Sequence, residues 1–295
     1  MYEILSKLPI VKQSRQGKVR DMYDLGETVL MVTSDRISAF DVVFPDPIPG
    51  KGIILNQIAA YVFKTTSHIV PNHFISDKTE DYPEEFQPYK DYLEGRSMLV
   101  QKLRMIPVEC IVRGYISGSA WNEYSHSGTV GGEVMPSGLK ENQKLPQPIF
   151  TPSVKITEGH DINISYQEML NHMDKFIAEF LRDKSLALYD YGYNFLLPKG
   201  IILADTKFEF GTKEGEILLA DEALTPDSSR FWDLEAYNSG KGPVSFDKQI
   251  VRDYLESIGW NKKPPAPHLP EEIIDKALAK YRQIRDIFLG EQSKQ

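Results

Sequence analysis

The stretch GIILADTKFEFGTKEGEILLADEALTPD, from Gly200 to Asp227, decides the fold. Two apolar runs flank the turn residues Lys213-Glu214-Gly215-Glu216 and read as an antiparallel hairpin. In the first run strict alternation puts Ile201, Leu203, Asp205, Lys207 and Glu209 on one face, and Ile202, Ala204, Phe208 and Phe210 on the other. A face that changes from Ile and Leu to Asp, Lys and Glu is expected to leave the core and enter a polar site. A turn centred on Gly215 sets Glu209 directly opposite Asp221, with Cβ atoms about 4.5–5.5 Å apart. Two carboxylates so placed repel each other unless a proton or cation intervenes, and two oxygen ligands plus substrate phosphates are what Mg²⁺ usually takes. The acids at the solvent end of an ordinary hairpin would look the same. Asp205 and Lys207 on the same face, and the Thr-, Ser- and Arg-rich EALTPDSSRFWD beyond, favour the metal-site reading.

Outward from the hairpin, the pattern changes near residue 105. Before it, GKVRDMYDLG (Gly17–Gly26), TVLMVTSDR (Thr28–Arg36) and SMLVQKLRM (Ser97–Met105) read as short strands. One helix interrupts them, its stripe formed by Leu55, Ile58, Ala59, Val62 and Phe63. After it come longer helices. Ser165 with Glu168 forms a capping-box pattern ahead of a stripe of Met169, Met173, Phe176, Ile177, Phe180 and Leu181, read as one helix. Two further helices are expected to end at Gly259 and Gly290, joined by a proline-rich connector. The fold class expected is α+β, two-lobed. A mostly antiparallel N-terminal β lobe (1–104) binds nucleotide; a larger mixed lobe (105–295) binds substrate and metal, with a cleft between.

Composition removes several classes. The 295 residues are 41% hydrophobic and 26% charged, which is ordinary for a globular protein. No apolar run reaches the roughly 18 residues that span a bilayer, and the first residues lack a secretory h-region, so a cytoplasmic enzyme without a membrane partner is expected. A net charge of −8 gives no field for gathering nucleic acid. The single cysteine, Cys110, reads as a core hydrophobe. Neither zinc spacing nor a nucleophile elbow is present.

Three further clusters carry chemistry. Gly17 and Lys18, opening a strand, could lay N–H groups and an ammonium on phosphates, although any basic hairpin looks alike and neither standard glycine-rich signature matches. In VRGYISGSAW, Arg113 ends a strand while Ser117, Gly118 and Ser119 open a helix, a combination suited to an anion but also common in plain helix starts. Between Thr151 and Ser165, Lys155, Glu158, His160 and Asp161 crowd a loop that could line a site or simply be solvated.

Taken in order, GKVRDMYDLG, VTSDRISAFDVVFPDPIPGKGIILNQ, PVECIVRGYISGSAW, TPSVKITEGHDINIS, LADTKFEFG and LADEALTPDSSRFWD resemble the phosphoribosylaminoimidazole-succinocarboxamide synthase (SAICAR synthetase) family, in its longer form. The motifs run from Gly17 to Asp233, and the final 60 or so residues carry the weakest likeness. The resemblance implies an ATP- and Mg²⁺-dependent ligase of purine biosynthesis with a kinase-like N-terminal lobe, which joins L-aspartate to the carboxylate of carboxyaminoimidazole ribonucleotide. It implies ATP phosphates at Gly17 and Lys18, adenine along Met98 to Leu103 including Lys102, and metal at Glu209 and Asp221. The ribonucleotide would meet Arg113, Ser119 and Arg230; Lys207 and Asp205 would lie near the reacting groups, with Lys155 and His160 completing the catalytic set. A two-lobed small-molecule kinase and a non-catalytic nucleotide-binding module are the competing readings. The general base and the choice between monomer and homo-oligomer stay open.

Overall fold

The computed structural model describes residues 15–154 and 162–290. Lys155, Glu158, His160 and Asp161 lie outside the described residues. Two antiparallel sheets dominate. The first runs Arg15–Gln16, Arg20–Asp24, Thr28–Thr33, Ser97–Gln101, Phe74–Ser76. The second is built around the long strand Ile201–Lys213, which pairs with Val108–Tyr115, Glu216–Ala220, Ser229–Asp233 and Arg104–Met105. The chain passes from one sheet to the other through Lys102 and Leu103 alone.

The long strand does not alternate strictly. Against Ser229–Asp233 the register runs Leu203↔Phe231 and then Asp205↔Arg230, so Ala204 is an extra residue, a β-bulge. Before it, Ile201 and Leu203 face the main core; after it, Phe208 and Phe210 do. Ile202 and Ala204 pack on the opposite side with Tyr115 and Trp232. The expected shared face from Ile201 through Glu209 is therefore corrected. The strand is buried from Ile201 to Gly211 except at Lys207, with Asp205 and Glu209 5% and 6% exposed, and the bulge turns Asp205, Lys207 and Glu209 to the side away from the core.

The apolar side of this sheet is covered by the helix Lys175–Leu196, through Leu181, Leu188, Tyr189 and Leu196. The Tyr189 hydroxyl donates to the Leu203 carbonyl at 2.7 Å. Burial of side chains of this size is worth about 1.5–3 kcal/mol each. The same core takes in Met31, Ile58 and Val100, so the two sheets share it. Cys110 is fully buried there, its thiol pushed up by desolvation.

The helix expected from Ser165 onward is two helices. Ser165 and Glu168 do form a capping box, but that helix ends at His172. Met173 is extended, and the Asp174 side chain accepts from the Phe176 N–H to start Lys175–Leu196. Phe176, assigned to the stripe, is 70% exposed because the new cap rotates the second helix. The helices Lys51–Thr66 and Glu271–Leu289 pack on each other, and Gly259 and Gly290 take the left-handed conformations expected after the last two helices. Among the described residues, no helix is long and apolar enough to cross a membrane.

Candidate functional site

The face of the second sheet turned away from its helix carries Arg113, Asp205, Lys207, Glu209 and Arg230. Asp205 pairs with Arg113 on the neighbouring strand and Arg230 on the other, and both guanidiniums reach its Oδ2, Arg113 Nη1 at 3.2 Å. Arg113 also donates to the Thr151 hydroxyl at 3.0 Å and to Ser119 Oγ at 3.1 Å. The structure thus brings Arg113, Ser119, Asp205 and Arg230 together. Gly118 is needed between them: a Cβ there would collide with the Arg230 guanidinium. Ser117, the N-cap of Gly118–Ser127, is 3% exposed, and its hydroxyl has no partner among the described residues. A buried donor left open at the start of a helix whose next two residues meet the two guanidiniums is a place for an oxyanion.

Two residues further along the same strand, Lys207 lies between two acids, 2.8 Å from Glu109 and 2.6 Å from Glu209. Burial alone would lower its ammonium, but Glu209 and Glu109 hold it well above the ordinary lysine range. Asp221 is met by Arg20 at 2.7 Å, and Arg20 also reaches Glu222 at 3.4 Å. Burial pushes the Asp221 carboxyl up to about 6; Arg20 opposes that rise and Glu209 adds to it.

The hairpin register differs from the expected one. Glu214 and Gly215 both have positive φ and form a two-residue turn, so Glu209 faces Ala220 and not Asp221. Counting the turn as three residues produces the one-residue error. Asp221 lies just past the strand end with φ 62°, and this left-handed step lets its carboxyl feel Glu209 although the two are not cross-strand partners.

Lys18 is half-exposed and ion-paired with Asp41, while Lys102, also exposed, pairs with Asp24 at 2.6 Å. The N–H groups of Gln101 and Lys102 donate to the carbonyls of His73 and Glu27. Leu103 is in contact range of Gly211, where a Cβ would lie 2.7 Å from the leucine Cβ.

Several residues escaped the sequence reading. Arg20 sits inside the quoted GKVRDMY but was not separated from Lys18; the two are one strand period apart. Glu109 is two residues before Ile111, which faces Lys207. Asp227, in the quoted TPDSSR, is the centre of a buried ion cluster: Lys51 Nζ at 2.8 Å, Lys248 Nζ at 3.2 Å and the Tyr281 hydroxyl at 2.7 Å. Burial would raise its carboxyl, but Lys248 and Lys51 hold it well below 3.8. Lys51 and Tyr281 are 176 and 54 positions away, beyond any local spacing. Beside this cluster lies a cavity of about 80 Å³ lined by Asp205, Ser228, Ser229, Arg230, Asp247 and Arg252, among others.

An ion held by Glu209 and Asp221 would have an all-oxygen donor set. Among the described residues, no group of three or more His, Cys, Asp and Glu forms a complete cage. Two carboxylates, one of them hard to ionise where it stands, fit a hard cation that keeps most of its shell for water and phosphate, as Mg²⁺ does.

Comparisons with known proteins point to one family. A family model described as SAICAR synthetase matches residues 13–267. The chain is 53% identical over 281 residues to the phosphoribosylaminoimidazole-succinocarboxamide synthase of Geotalea uraniireducens, covering 95% of each protein. It is equally similar, 53% over 277 residues and 94% of each, to the enzyme of the same name from Desulfosudis oleivorans. Its structure is similar to a SAICAR synthase from Saccharomyces cerevisiae complexed with SAICAR, with TM-score 0.87, 41% identity and 97% of both chains covered. A SAICAR synthetase in complex with ADP superposes with TM-score 0.70 at 26% identity, over 95% of this chain and 99% of that one.

Proposed function

The chain belongs to the SAICAR synthetase family, the ATP-dependent ligases of purine biosynthesis, and from that premise we infer how its residues divide the work. The reaction joins L-aspartate to the carboxylate of 5-amino-1-(5-phospho-D-ribosyl)imidazole-4-carboxylate and releases ADP and phosphate. The family and the long strand's polar face together make a ligase the reading of choice over a kinase or a non-catalytic module. The observation that carries the assignment is the bulged strand, which lines up Asp205, Lys207 and Glu209 between the Arg113–Arg230 pair and the Arg20–Asp221 pair.

In this reading the two sheets are the two lobes of a kinase-like molecule, with a boundary near 104 where the chain changes sheets. ATP lies between them, its phosphates at Gly17 and Lys18 and its adenine near Lys102 and Leu103. Arg113, Ser119 and Arg230 hold the ribonucleotide. Glu209 and Asp221 would hold Mg²⁺, which when bound neutralises charge on the phosphates. Arg20 and Lys207, ion-paired to those same acids, are the cations nearest to answer that exchange of charge.

A carboxylate resists an amine because O²⁻ cannot leave. Transfer of the γ-phosphoryl group to a carboxylate oxygen gives an acyl phosphate and ADP; the aspartate amine then adds to the carbonyl carbon, and phosphate departs with the C–O electron pair. This chain contributes positioning and fixed charge to that sequence. Asp205, flanked by two guanidiniums, acts as the brace that holds Arg113 and Arg230 apart at fixed spacing. The proton lost by the amine goes to Asp205, to His160 or to the substrate phosphate. Lys155 shares the sequence stretch of His160 and is the candidate to meet aspartate.

The test is ADP release from purified protein given ATP, Mg²⁺ and the carboxylated ribonucleotide, with and without aspartate. Aspartate-dependent ADP release with formation of the succinocarboxamide supports the ligase; release to an alcohol acceptor, indifferent to aspartate, would move the protein to the kinases.

A further inference from the structure

The stretch SDRISAFD, Ser34 to Asp41, helped carry the family resemblance, yet its arginine belongs to none of the clusters above. Arg36 is 7% exposed. Its Nε donates to the Lys18 carbonyl at 3.1 Å and its Nη2 to the Gly17 carbonyl at 3.2 Å. The guanidinium also forks onto the two carboxylate oxygens of Asp21, at 3.2 and 2.8 Å. Ser34 takes the next carbonyl along: its N–H and its hydroxyl both donate to Val19 O, at 2.9 and 2.8 Å. Three successive carbonyls of the loop are therefore turned inward onto donors from one tripeptide.

That tripeptide is itself anchored. Asp35 accepts the N–H groups of Gly50 and Gly52 at the start of the Lys51–Thr66 helix, at 3.0 and 2.9 Å. The Arg36 carbonyl accepts from the buried Lys51 ammonium at 3.1 Å. A loop that receives phosphate must present N–H groups and keep its carbonyl oxygens, which repel an anion, on the far side. Lysine cannot substitute here: one ammonium is a point donor, whereas four acceptors lie around the planar fork of Arg36.

We propose that Arg36 is a positioning residue for ATP, which shapes the Gly17–Lys18 loop for the nucleotide phosphates by holding its carbonyls inward. The proposal rests on the assignment of that loop to ATP made above. Its action is on ground-state binding of nucleotide, not on the reacting atoms.

The experiment measures KM for ATP and for the ribonucleotide, kcat, and the calorimetric Kd for ADP in Arg36→Lys, Ser34→Ala and Lys18→Ala. Arg36→Lys should raise KM for ATP and Kd for ADP about tenfold or more, the loss expected for hydrogen bonds from a charged donor, with kcat and the ribonucleotide KM within about twofold. Ser34→Ala should raise the same two constants by about threefold, and it carries the test if Arg36→Lys does not fold. A parallel loss in both KM values and kcat would mean a general structural role and overturns the proposal. Lys18→Ala separates two failures. If it weakens ADP while Arg36→Lys does not, Arg36 is not the positioning residue and the ATP assignment stands; if neither matters, the loop is not the phosphate site and both fall.

Discussion

Replacing Lys51 by methionine removes one of three donors from Asp227 at nearly constant volume. Lys51 is completely buried, and Asp227 keeps its contacts to Lys248 at 3.2 Å and Tyr281 at 2.7 Å. Breaking a buried pair by removing one partner costs about 3–5 kcal/mol; the surviving partners put this case at the lower end, about 3 kcal/mol. The assay is urea unfolding at pH 7, in a double-mutant cycle with Asp227→Asn. The Asp227 carboxyl is depressed below 3.8 in the folded state, so its contribution is complete above that pH and is lost as pH falls through the folded value. In the Asp227→Asn background Lys51 has no counter-charge on that side chain, and Lys51→Met should there be neutral or stabilising. A coupling energy of about 3 kcal/mol is expected, and additivity within about 0.5 kcal/mol would refute the claim that these two charges hold one another. Because Asp227 directly precedes Ser228, Ser229 and Arg230, the ribonucleotide KM should rise in Lys51→Met before kcat falls.

Glu209→Gln should cut the rate by about 100-fold or more, the loss of one metal carboxylate, and shift the Mg²⁺ requirement upward; normal Mg²⁺ dependence in an active variant contradicts the metal assignment. Arg113→Ala and Ser119→Ala should raise the ribonucleotide KM by about tenfold or more with ATP KM nearly constant, since Arg113 lies on the second sheet and Ser119 on the helix Gly118–Ser127 that contacts it, not on the Gly17 loop; equal damage to ATP would put the ligand in the wrong place. With ribonucleotide carrying ¹⁸O in its carboxylate, mass analysis should find one labelled oxygen in the released phosphate, and unlabelled phosphate would move activation to aspartate. His73 is buried, its imidazole lowered to about 3 by desolvation and secondarily by the Arg20 charge. Below the ordinary 6.5 the unfolded chain takes up a proton that the folded one refuses, so stability should fall by up to about 1.4 kcal/mol per pH unit between 6.5 and 3, and His73→Gln should flatten that slope in pH-dependent unfolding.

The sequence carried the strands and helices whose side chains obey a single period: the Lys51–Thr66 stripe, the Ser165–Glu168 cap and the glycine after the last helix were all legible. Where two local signals competed, the reading failed. Asp174 restarts a helix inside a stripe that looks continuous, and Glu214-Gly215 closes the hairpin one residue shorter than a turn centred on glycine would. Arg113, Ser119, Asp205 and Arg230 were found because motif order and chemistry coincide in them. Arg20, Glu109 and the Lys51–Asp227–Tyr281 cluster were not, because their function arises from partners contributed by other elements, and no spacing rule spans that distance.

The extra residue at Ala204 also sets which mutations this gene can tolerate. Point changes along the strand alter one side chain at a time, and loss of the single codon for Ala204 would only close the ladder, because Leu203 and Asp205 already oppose the consecutive residues Phe231 and Arg230. Loss of the codon for Thr206 would instead turn Phe208 and Phe210 toward the ligand side, and Lys207 and Glu209 toward the space under the Lys175–Leu196 helix. The strand thus holds one spare residue, and that residue has almost no side chain. A deletion at Ala204 should be far less damaging than a deletion at Thr206.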